Sequence, residues 1–508
     1  MVFSQIEAGN PERLACKRIG APLLFGRLWE EAGCRAVIAD LLSGRAFEFA
    51  VERAVFAIVL HRIMVSGSDR ACEKWMADYD IPGVDGLTLH HLYRAMAWLG
   101  EELPADQQGG ATPFAPRAIK DLVEEQLFAR RRDLFSELSV VFLDTTSLSF
   151  TGAGGETLGE RGYSKDHRPD LMQMIVGVVI DAAGRPVCSA MWPGNPADVS
   201  VLVPVIDRLR SRFAIGRVCV VADRGMISKE TIEALEQDER GWQYILGARM
   251  RSQNEVKDEV LSRAGRYRVV HPPRVQNDDP SPLKVKEVWV EDRRYIVCLN
   301  QDEARKDAAD REAIVAALRE QLRCGAKTLV GNKGYRRFLS GSDSPGFRID
   351  EAKIAEDARY DGKWVLRTNT DLDAVEVALQ YKRLWMVEQW FRSCKSLLQT
   401  RPIYHRRDET IRGHVFCSFL ALVLRQELQA RLEQRGHDPE WADVIGDLDR
   451  LQMVEVEQDG KRFLLRSEMQ GTCSTVFQTV GVALPPTVQQ APSTTPVLDA
   501  APGATPPD

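Results

Sequence analysis

The sequence lacks several features that would place it early in a protein class. Its ten cysteines include no CxxC pair and mostly stand in apolar runs, which is typical of buried reduced thiols rather than a disulfide frame or a zinc site. The N-terminus has no basic start followed by an apolar core, so no signal peptide is expected. The longest apolar stretch, 54–65, contains His61 and Arg62 and is too short to span a bilayer. These absences indicate a cytoplasmic protein without a membrane partner.

The chain also lacks an overall positive charge. Lys and Arg number 67 against 73 Asp and Glu, a formal net charge of −6, which taken alone disfavours a nucleic-acid partner. This net charge hides one basic segment, 381–414, which contains eight Lys and Arg but only three Asp and Glu. This segment predicts a basic surface beside Glu388, with an ordinary solvated helix face as the alternative. No GxxxxGK[ST] accompanies the Gly-rich loop 151–170, so no nucleotide cofactor is expected.

The length of 508 residues suggests about three domains. Apolar residues at spacings of three and four predict a helical N-terminal domain over 1–135, for binding DNA ends or for dimerisation. Strand patterns begin near residue 138 and predict the first part of an α/β core over 136–250, with an antiparallel start and parallel continuation. The predicted strands are 140–143, 172–180, 186–192, 218–222 and 242–246. The predicted helices are 198–213, with Asp198 as a candidate N-cap, and one opened by Ser228.

Residues 251–370 interrupt this core pattern and are predicted to be an insertion domain. They contain strand-like segments at 284–290, 294–299 and 361–367, and a charged helix at 302–323. Residues 371–430 complete the core with a late helix that carries Glu388. Residues 431–484 form a C-terminal region, and 485–508, rich in Pro, Ala, Thr and Gln, are predicted to be a disordered tail.

Two acids follow apolar runs in the predicted core. Asp144 comes after the run 140–143, and Asp223 comes after the run 218–222, with Gly225 allowing a sharp turn. A cap or turn role is the ordinary alternative for either acid alone. A phosphatase with a strand-end Asp nucleophile would need a second Asp two residues later. This chain has Thr146 there, which argues against that class.

Glu388 is the third candidate acid, on a helix predicted over 381–395. At spacings of seven and four, Tyr381, Arg392 and Lys395 are expected on the same helix face as Glu388. The alternative is a surface helix with an i,i+4 ion pair between Glu388 and Arg392. The apolar residues expected to pack this helix are Trp385, Trp390, Phe391 and Leu398.

Three carboxylates suit a divalent-metal site. Mg²⁺ prefers carboxylate and water oxygens and keeps open positions for phosphate. Two such ions about 4 Å apart stabilise both oxygens of an in-line phosphoryl displacement. Such a site needs no His or Cys ligand, in keeping with the lack of a metal-spaced His/Cys cluster in the sequence. Flanking cations would position a phosphate backbone.

Three short blocks carry a family resemblance. The segments 143–146 (LDTT), 221–226 (VADRGM) and the spacing Tyr381…Glu388…Lys395 resemble the signature blocks of the DDE transposases of bacterial insertion sequences. They are most similar to the cut-and-paste group with a strand-rich insertion before the Glu helix. Smaller motifs at 162–170, 194–198 and 401–405 agree, and the resemblance covers about 50–425. The family's Arg between the Tyr and the Glu is replaced here by Leu384, with Arg383 one position earlier.

The resemblance implies a ribonuclease H-like mixed sheet flanked by helices. It implies Asp144, Asp223 and Glu388 as metal ligands for Mg²⁺, with Mn²⁺ as a substitute. The implied activity is cleavage of DNA at insertion-sequence ends and strand transfer into target DNA, by a homodimer associated with the nucleoid. The alternative is a catalytically inactive, transposase-derived DNA-binding protein. The residues expected to contact double-stranded DNA are Tyr381, Arg392, Lys395, Lys165, Arg168 and Arg224.

Overall fold

The computed structural model describes most of the chain. The described residues are 12–109, 111, 115–131, 140–162, 164–195, 202–213, 219–226, 228–236, 242–276, 279–324, 337–341, 347–458 and 461–490. Two sequence predictions lie wholly or mostly outside these ranges. They are Asp198 as a helix N-cap and the disordered tail, of which only 485–490 are described.

Helices fill most of the N-terminal region. They are α1 (Gly20–Glu31), α2 (Cys34–Leu42), α3 (Val51–Met64), α4 (Asp69–Met76), α5 (Leu89–Gly100) and α6 (Ile119–Arg131). α3 is buried on nearly every side, because α1, α4, α5 and a late helix surround it. The first element is a strand rather than a helix, β1 (Glu12–Arg18). Its strand partner lies more than 400 residues later in the chain, so local sequence spacing carries no signal for it.

The predicted core strands form one side of a large sheet. They are β2 (Val140–Ser149), β3 (Gln173–Asp181), β4 (Pro186–Pro193), β5 (Cys219–Ala222) and β6 (Gln243–Ala248), with helices α7 (Leu202–Phe213) and α8 (Lys229–Glu236) between the later strands. β2, β3 and β4 are antiparallel neighbours, whereas β2–β5 and β5–β6 are parallel. The order β4-β3-β2-β5-β6 is the ribonuclease H-like arrangement, so the predicted fold class is confirmed.

Residues 251–370 extend the same sheet. Their strands and helices are β7 (Arg268–His271), β8 (Leu283–Val290), β9 (Arg293–Leu299), α9 (Gln301–Cys324), β10 (Leu339–Ser340), β11 (Arg348–Ile349), α10 (Glu351–Ala358) and β12 (Lys363–Thr368). β12 pairs antiparallel with both β6 and β9, giving a nine-stranded sheet in the order β4-β3-β2-β5-β6-β12-β9-β8-β7. The domain boundaries inferred from the sequence stay predictions, since the sheet continues across residue 251.

The segment predicted as one helix over 381–395 is divided. α11 (Ala374–Lys382) ends before α12 (Trp385–Arg392), and a π-helical turn, Ser393–Leu397, follows. At the junction the backbone bonds tighten to i→i+3, as in Leu384 N to Tyr381 O and Val387 N to Leu384 O, both 3.1 Å or less. Tighter and wider turns change the rotation per residue, so seven-residue spacing alone does not decide which side chains share a face.

The C-terminal region joins the N-terminal helices to the core. α13 (Asp408–Gln434) packs against α1, α3, α5 and β4. Helix α14 (Trp441–Arg450) comes next. A second sheet is then formed by β1 with three late strands, β13 (Gln452–Gln458), β14 (Lys461–Arg466) and β15 (Val488–Gln490). Helix α15 (Cys473–Val480) lies between β14 and β15 in the chain. β15 therefore orders the start of the predicted tail, because its backbone pairs with β14. Within the described ranges, no helix combines the length and apolar character that a membrane span requires.

Candidate active site

Asp144 and Asp223 lie side by side in the sheet. β2 and β5 are parallel, and their last paired residues are Leu143 and Ala222, so the two acids are the next residue of each strand. Asp223 comes directly after its strand, as predicted. Asp144 does not, because β2 continues to Ser149 through its antiparallel pairing with β3. The sheet thus splits at Asp144, leaving its carboxylate beside a gap between β2 and β5.

α12 brings Glu388 to this gap. The helix packs on β2 and β3, where Val387 and Phe391 are buried and Glu388 is exposed. The acids line a single cavity of about 280 Å³, whose residues are Asp144, Asp223, Trp364, Tyr381, Lys382, Leu384, Trp385 and Glu388. Three acids separated by up to 244 positions in the sequence therefore share one opening to solvent.

The three carboxylates are not gathered around one point. Among the described residues, these three acids do not place one oxygen each within 4.8 Å of one another. All three would have to approach more closely to hold one ion at about 2.0–2.1 Å. The donor set of oxygens alone matches the preference of Mg²⁺ and Mn²⁺.

The charge balance of the site favours an added cation. Burial raises the pKa of the Asp144 carboxyl, and the neighbouring Asp223 raises it further. Lys165 and the Thr145 backbone N–H act in the opposite direction. The Lys165 ammonium lies 3.5 Å from Asp144 Oδ1 and 2.6 Å from the Thr145 carbonyl oxygen. A divalent ion would supply the charge that these partners supply only in part.

Tyr381 fixes the orientation of Asp223. Its hydroxyl donates a hydrogen bond of 2.9 Å to Asp223 Oδ1, and burial together with Asp223 raises the pKa of the phenol. The approach depends on Gly247 in β6, where a Cβ atom would collide with the Tyr381 hydroxyl. Gly247 is a site residue that the sequence analysis missed, because its effect arises from a neighbouring strand.

Of the four residues predicted to share one face, Tyr381 and Glu388 both line the acid cavity, whereas Arg392 and Lys395 do not. Tyr381 and Glu388 reach the cavity from separate helices, and Lys395 lies in the π-helical turn and pairs with Asp166 at 2.8 Å. Arg392 is exposed. In the described part of the chain Glu388 forms no ion pair, with Arg392 or any other residue, so the surface-helix alternative lacks its stabilising contact.

Two other predicted DNA contacts, Arg224 and Arg168, do not line the acid cavity. Arg224 follows Asp223 and lines a neighbouring cavity of about 450 Å³ with three further cations, Arg249, Arg251 and Lys363. Arg168 is exposed in the loop after β2 and pairs with Asp170 at 2.8 Å. Leu384, in place of the family's Arg, is buried at the cavity wall, and Arg383 is exposed.

Comparison with known proteins decides the family. The transposase DDE domain family matches residues 135–424, which is more than half of the chain and includes all three acids. The chain belongs to this family. The predicted resemblance is therefore confirmed, and DDE domains of this kind generally use divalent metal ions.

Other comparisons add little to the family assignment. No curated protein matches the chain. A cryo-electron-microscopy structure described as the piggyBac transposase synaptic complex with hairpin DNA matches at 11% identity, covering 86% of this chain and 81% of that chain. Its TM-score is 0.40, a likeness too weak to bear on this DDE domain.

Two aromatic residues of this transposase DDE domain were not predicted at the site. Trp385 was expected to pack in the core, as Trp390, Phe391 and Leu398 do, but its side chain is 57% exposed and lines the cavity. Trp364 of β12 also lines the cavity. The only sequence signal for Trp385 is its place three residues before Glu388, which a helix rotates to the same side.

A second Asp-centred cluster lies outside the acid cavity. Asp69, His405 and His414 place ligand atoms within 4.8 Å of one another, although no metal-like spacing is visible in the sequence. Arg62 occupies the centre: its Nη2 lies 2.8 Å from His414 Nδ1 and 3.3 Å from Asp69 Oδ1. A metal would need that nitrogen lone pair and would sit beside a buried guanidinium. The Arg62 hub, comprising Arg62, Asp69, His405 and His414, is therefore a hydrogen-bonded structural cluster.

Proposed function

We propose that the chain is an active transposase that cuts DNA at insertion-sequence ends and joins the freed end to target DNA. The observation that carries this proposal is the single cavity lined by Asp144, Asp223 and Glu388. In this account these acids hold two Mg²⁺ or Mn²⁺ ions. The ions, when bound, supply Lewis-acid stabilisation of phosphoryl oxygens.

The chain's own residues position the acids and the DNA. Tyr381 restrains Asp223 by its hydrogen bond, so the carboxylate presents its other oxygen to the cavity. Glu388 stands on a helix anchored by buried Val387 and Phe391, which limits its movement during phosphoryl transfer. Positioning of this kind accounts for much of the rate enhancement in phosphoryl transfer.

The surrounding cations are proposed to hold the DNA backbone. Arg224 and its cavity partners lie on one side of the acids, and Lys165, Arg168, Arg392 and Lys395 extend the positive surface on the others. Such contacts fix the register of a duplex without reading its sequence. The proposal includes a homodimer in the DNA complex, and action in the cytoplasm at the nucleoid.

The test uses a supercoiled plasmid that carries the DNA flanking the coding sequence. Asp144→Asn, Asp223→Asn and Glu388→Gln are each expected to abolish nicking in Mg²⁺ or Mn²⁺ while leaving gel-shift affinity for that DNA. Matched controls are Asp438→Asn and Glu433→Gln, both exposed and remote from the cavity, which should nick like the wild type. Retained nicking in any of the first three variants removes that acid from the site.

The same experiment separates the alternative function. A wild-type chain that shifts the DNA but nicks it in neither Mg²⁺ nor Mn²⁺ is an inactive, transposase-derived DNA-binding protein. The intact acid cavity argues against that outcome, since a chain released from catalytic selection has no need to keep all three carboxylates at one opening.

A further inference from the structure

The loop between β2 and β3 contacts both the proposed metal site and the proposed DNA-binding surface. Lys165, in the loop between β2 and β3, approaches Asp144 at 3.5 Å and donates to the Thr145 hydroxyl oxygen at 2.8 Å. Its neighbour Asp166 turns the other way, towards the π-helical turn after Glu388. Adjacent residues of opposite charge thus contact a proposed metal ligand and a predicted DNA-binding residue.

Asp166 lies between two cations. Lys395 Nζ donates to Asp166 Oδ1 at 2.8 Å, and Arg401 donates to Oδ2. The Lys395 side chain is only 12% exposed, and burial lowers the pKa of its ammonium while Asp166 opposes that shift. Two half-buried cations that converge on one anion form a site that any anion of similar shape can occupy.

The site opens onto a groove with further positive charge. A cavity of about 720 Å³ is lined by Asp166 and Arg401 together with Arg161, Arg168 and Asp170. Three arginines along one groove, with Lys395 at its end, match the charge of a nucleic-acid strand better than that of a small apolar ligand. Asp166 therefore occupies the place where a strand lying in the groove would bring a phosphate.

We propose that the Lys165–Asp166 pair is an internal substitute for the substrate. Asp166 holds the phosphate position between Lys395 and Arg401, and Lys165 holds a cation position on Asp144. A DNA phosphate displaces Asp166, and a divalent ion displaces Lys165. This inference rests on the proposed function, because it assumes that the acids bind metal and that the groove takes DNA.

The covalent linkage between the two residues has a thermodynamic consequence. Displacing either Lys165 or Asp166 from its contact also moves the other residue, because the two are adjacent in the chain. Whichever ligand binds first therefore supplies most of the free energy of this rearrangement. Metal and DNA should therefore bind with positive coupling, each raising the affinity for the other by the same factor. Until metal and DNA bind, Lys165 neutralises the metal position on Asp144, and Asp166 neutralises the phosphate position between two cations.

A purely structural role for Asp166 makes the opposite prediction. If Asp166 serves to position Lys395 and Arg401 for DNA, its removal leaves two cations without an organising partner and weakens binding. If Asp166 competes with DNA, its removal strengthens binding. The sign of the change in affinity distinguishes the two roles.

The first experiment measures binding of a labelled duplex without metal. Asp166→Asn should tighten binding by about tenfold, the change expected if Asp166 closes the site nine-tenths of the time. The plot of the logarithm of affinity against the logarithm of salt concentration should steepen, because about one more counterion is released. Asp438→Asn is the matched control, because it removes the same charge from an exposed position outside the groove and should change affinity less than about threefold. Weaker or unchanged binding by Asp166→Asn, relative to Asp438→Asn, overturns the inference.

The second experiment tests the cation position without DNA and without activity. Lys165→Met should raise Mn²⁺ affinity several-fold in electron paramagnetic resonance titrations, whereas Lys461→Met, an exposed control, should not. In the wild type, Mg²⁺ alone should speed acetylation of Lys165 relative to Lys461, which needs no variant to fold. An unchanged Mn²⁺ affinity, or an unchanged acetylation rate, overturns the inference.

The two levels of inference fail in different ways. Metal-dependent nicking by the wild type, with no gain of affinity in Asp166→Asn, overturns the internal substitute and leaves the proposed function intact. No DNA binding by the wild type or any variant overturns the proposed function and the inference with it.

Discussion

Two Asp-centred clusters of this transposase differ in the cation that each contains. In the Arg62 hub, Asp69 is buried and Arg62 neutralises its charge, with His405 Nε2 at 3.0 Å from Oδ2. In the acid cavity, three carboxylates open to solvent, and Lys165 touches only one of them at 3.5 Å. The potential metal-ligand atoms lie closer together in the hub, whereas the carboxylates of the cavity have less neutralising positive charge beside them. Charge balance, rather than spacing, therefore favours the acid cavity as the proposed metal centre.

The largest expected difference between the clusters is in folding stability. Asp69→Asn leaves the buried Arg62 without its counter-ion and should lower the free energy of unfolding by about 3–5 kcal/mol. Asp144→Asn removes an acid whose pKa is raised by burial, and should leave stability equal or higher. Urea denaturation measures both. A loss below about 1 kcal/mol for Asp69→Asn would show that the hub is not a buried ion-pair cluster.

The hub should also make stability depend on pH. Burial, then Arg62, lowers the pKa of His414 to about 4, whereas an unfolded His titrates near 6.5. Between these values the unfolded chain binds a proton that the folded chain does not, so stability falls as pH falls from about 6.5 to about 4. The loss approaches about 3 kcal/mol at the lower end. Urea midpoints at pH 7, 6 and 5 should decline in the wild type and less steeply in His414→Gln.

That pH prediction has an internal reference. His437 is exposed in the turn after α13, so His437→Gln should keep the wild-type slope. A His414→Gln slope that equals the wild-type slope would place the titrating group elsewhere, with His61, whose pKa burial also lowers to about 4, as the next candidate.

Metal should stabilise the cavity and not the hub. Mg²⁺ at 100 times its dissociation constant raises the free energy of unfolding by about 2.7 kcal/mol. The increase should disappear in Asp144→Asn and Asp223→Asn and persist in Asp438→Asn. Thermal denaturation with and without Mg²⁺ measures it. If His405→Gln removes the increase and Asp144→Asn keeps it, the metal binds in the hub and the comparison is reversed.

The smallest expected effect concerns the hydroxyl of Tyr381. Tyr381→Phe removes the hydrogen bond to Asp223 and should cost about 1 kcal/mol of stability. Mn²⁺ affinity should fall about tenfold, since a partner that orients a ligand typically contributes that much. Tyr404→Phe, at a side chain 66% exposed, is the control. Equal Mn²⁺ affinities in the two variants would mean that the Tyr381 hydroxyl does not orient the Asp223 carboxylate for metal binding.

The sequence predicted the parts of the site that depend on local pattern. Apolar runs ending at Asp144 and Asp223 located two neighbouring strands, and the short blocks around them led to the family. The antiparallel start and the parallel continuation of the sheet followed from the alternation of strands and helices. These features depend on residues within about ten positions of one another, where periodicity and turn residues carry the signal.

What the sequence could not predict depends on distant contacts. The break after Lys382 comes from i→i+3 hydrogen bonds at a junction without Pro or Gly, so helical spacing overestimated the shared face of Tyr381 and Lys395. The exposed Trp385 and the close approach at Gly247 arise from packing between strands and helices far apart in the chain. The Arg62 hub joins residues 62–69 to 405–414, and no local pattern reveals it.

The late position of α12 has a consequence for protein synthesis. A ribosome that has made residues 1–250 has produced Asp144 and Asp223 but not the helix that carries Glu388. In the proposed assignment, a nascent or terminated chain that ends before α12 cannot cut DNA, because the third acid is made only after four more strands of the sheet and α11. If the chain cuts DNA as proposed, this order of elements withholds cleavage until α12 has been made.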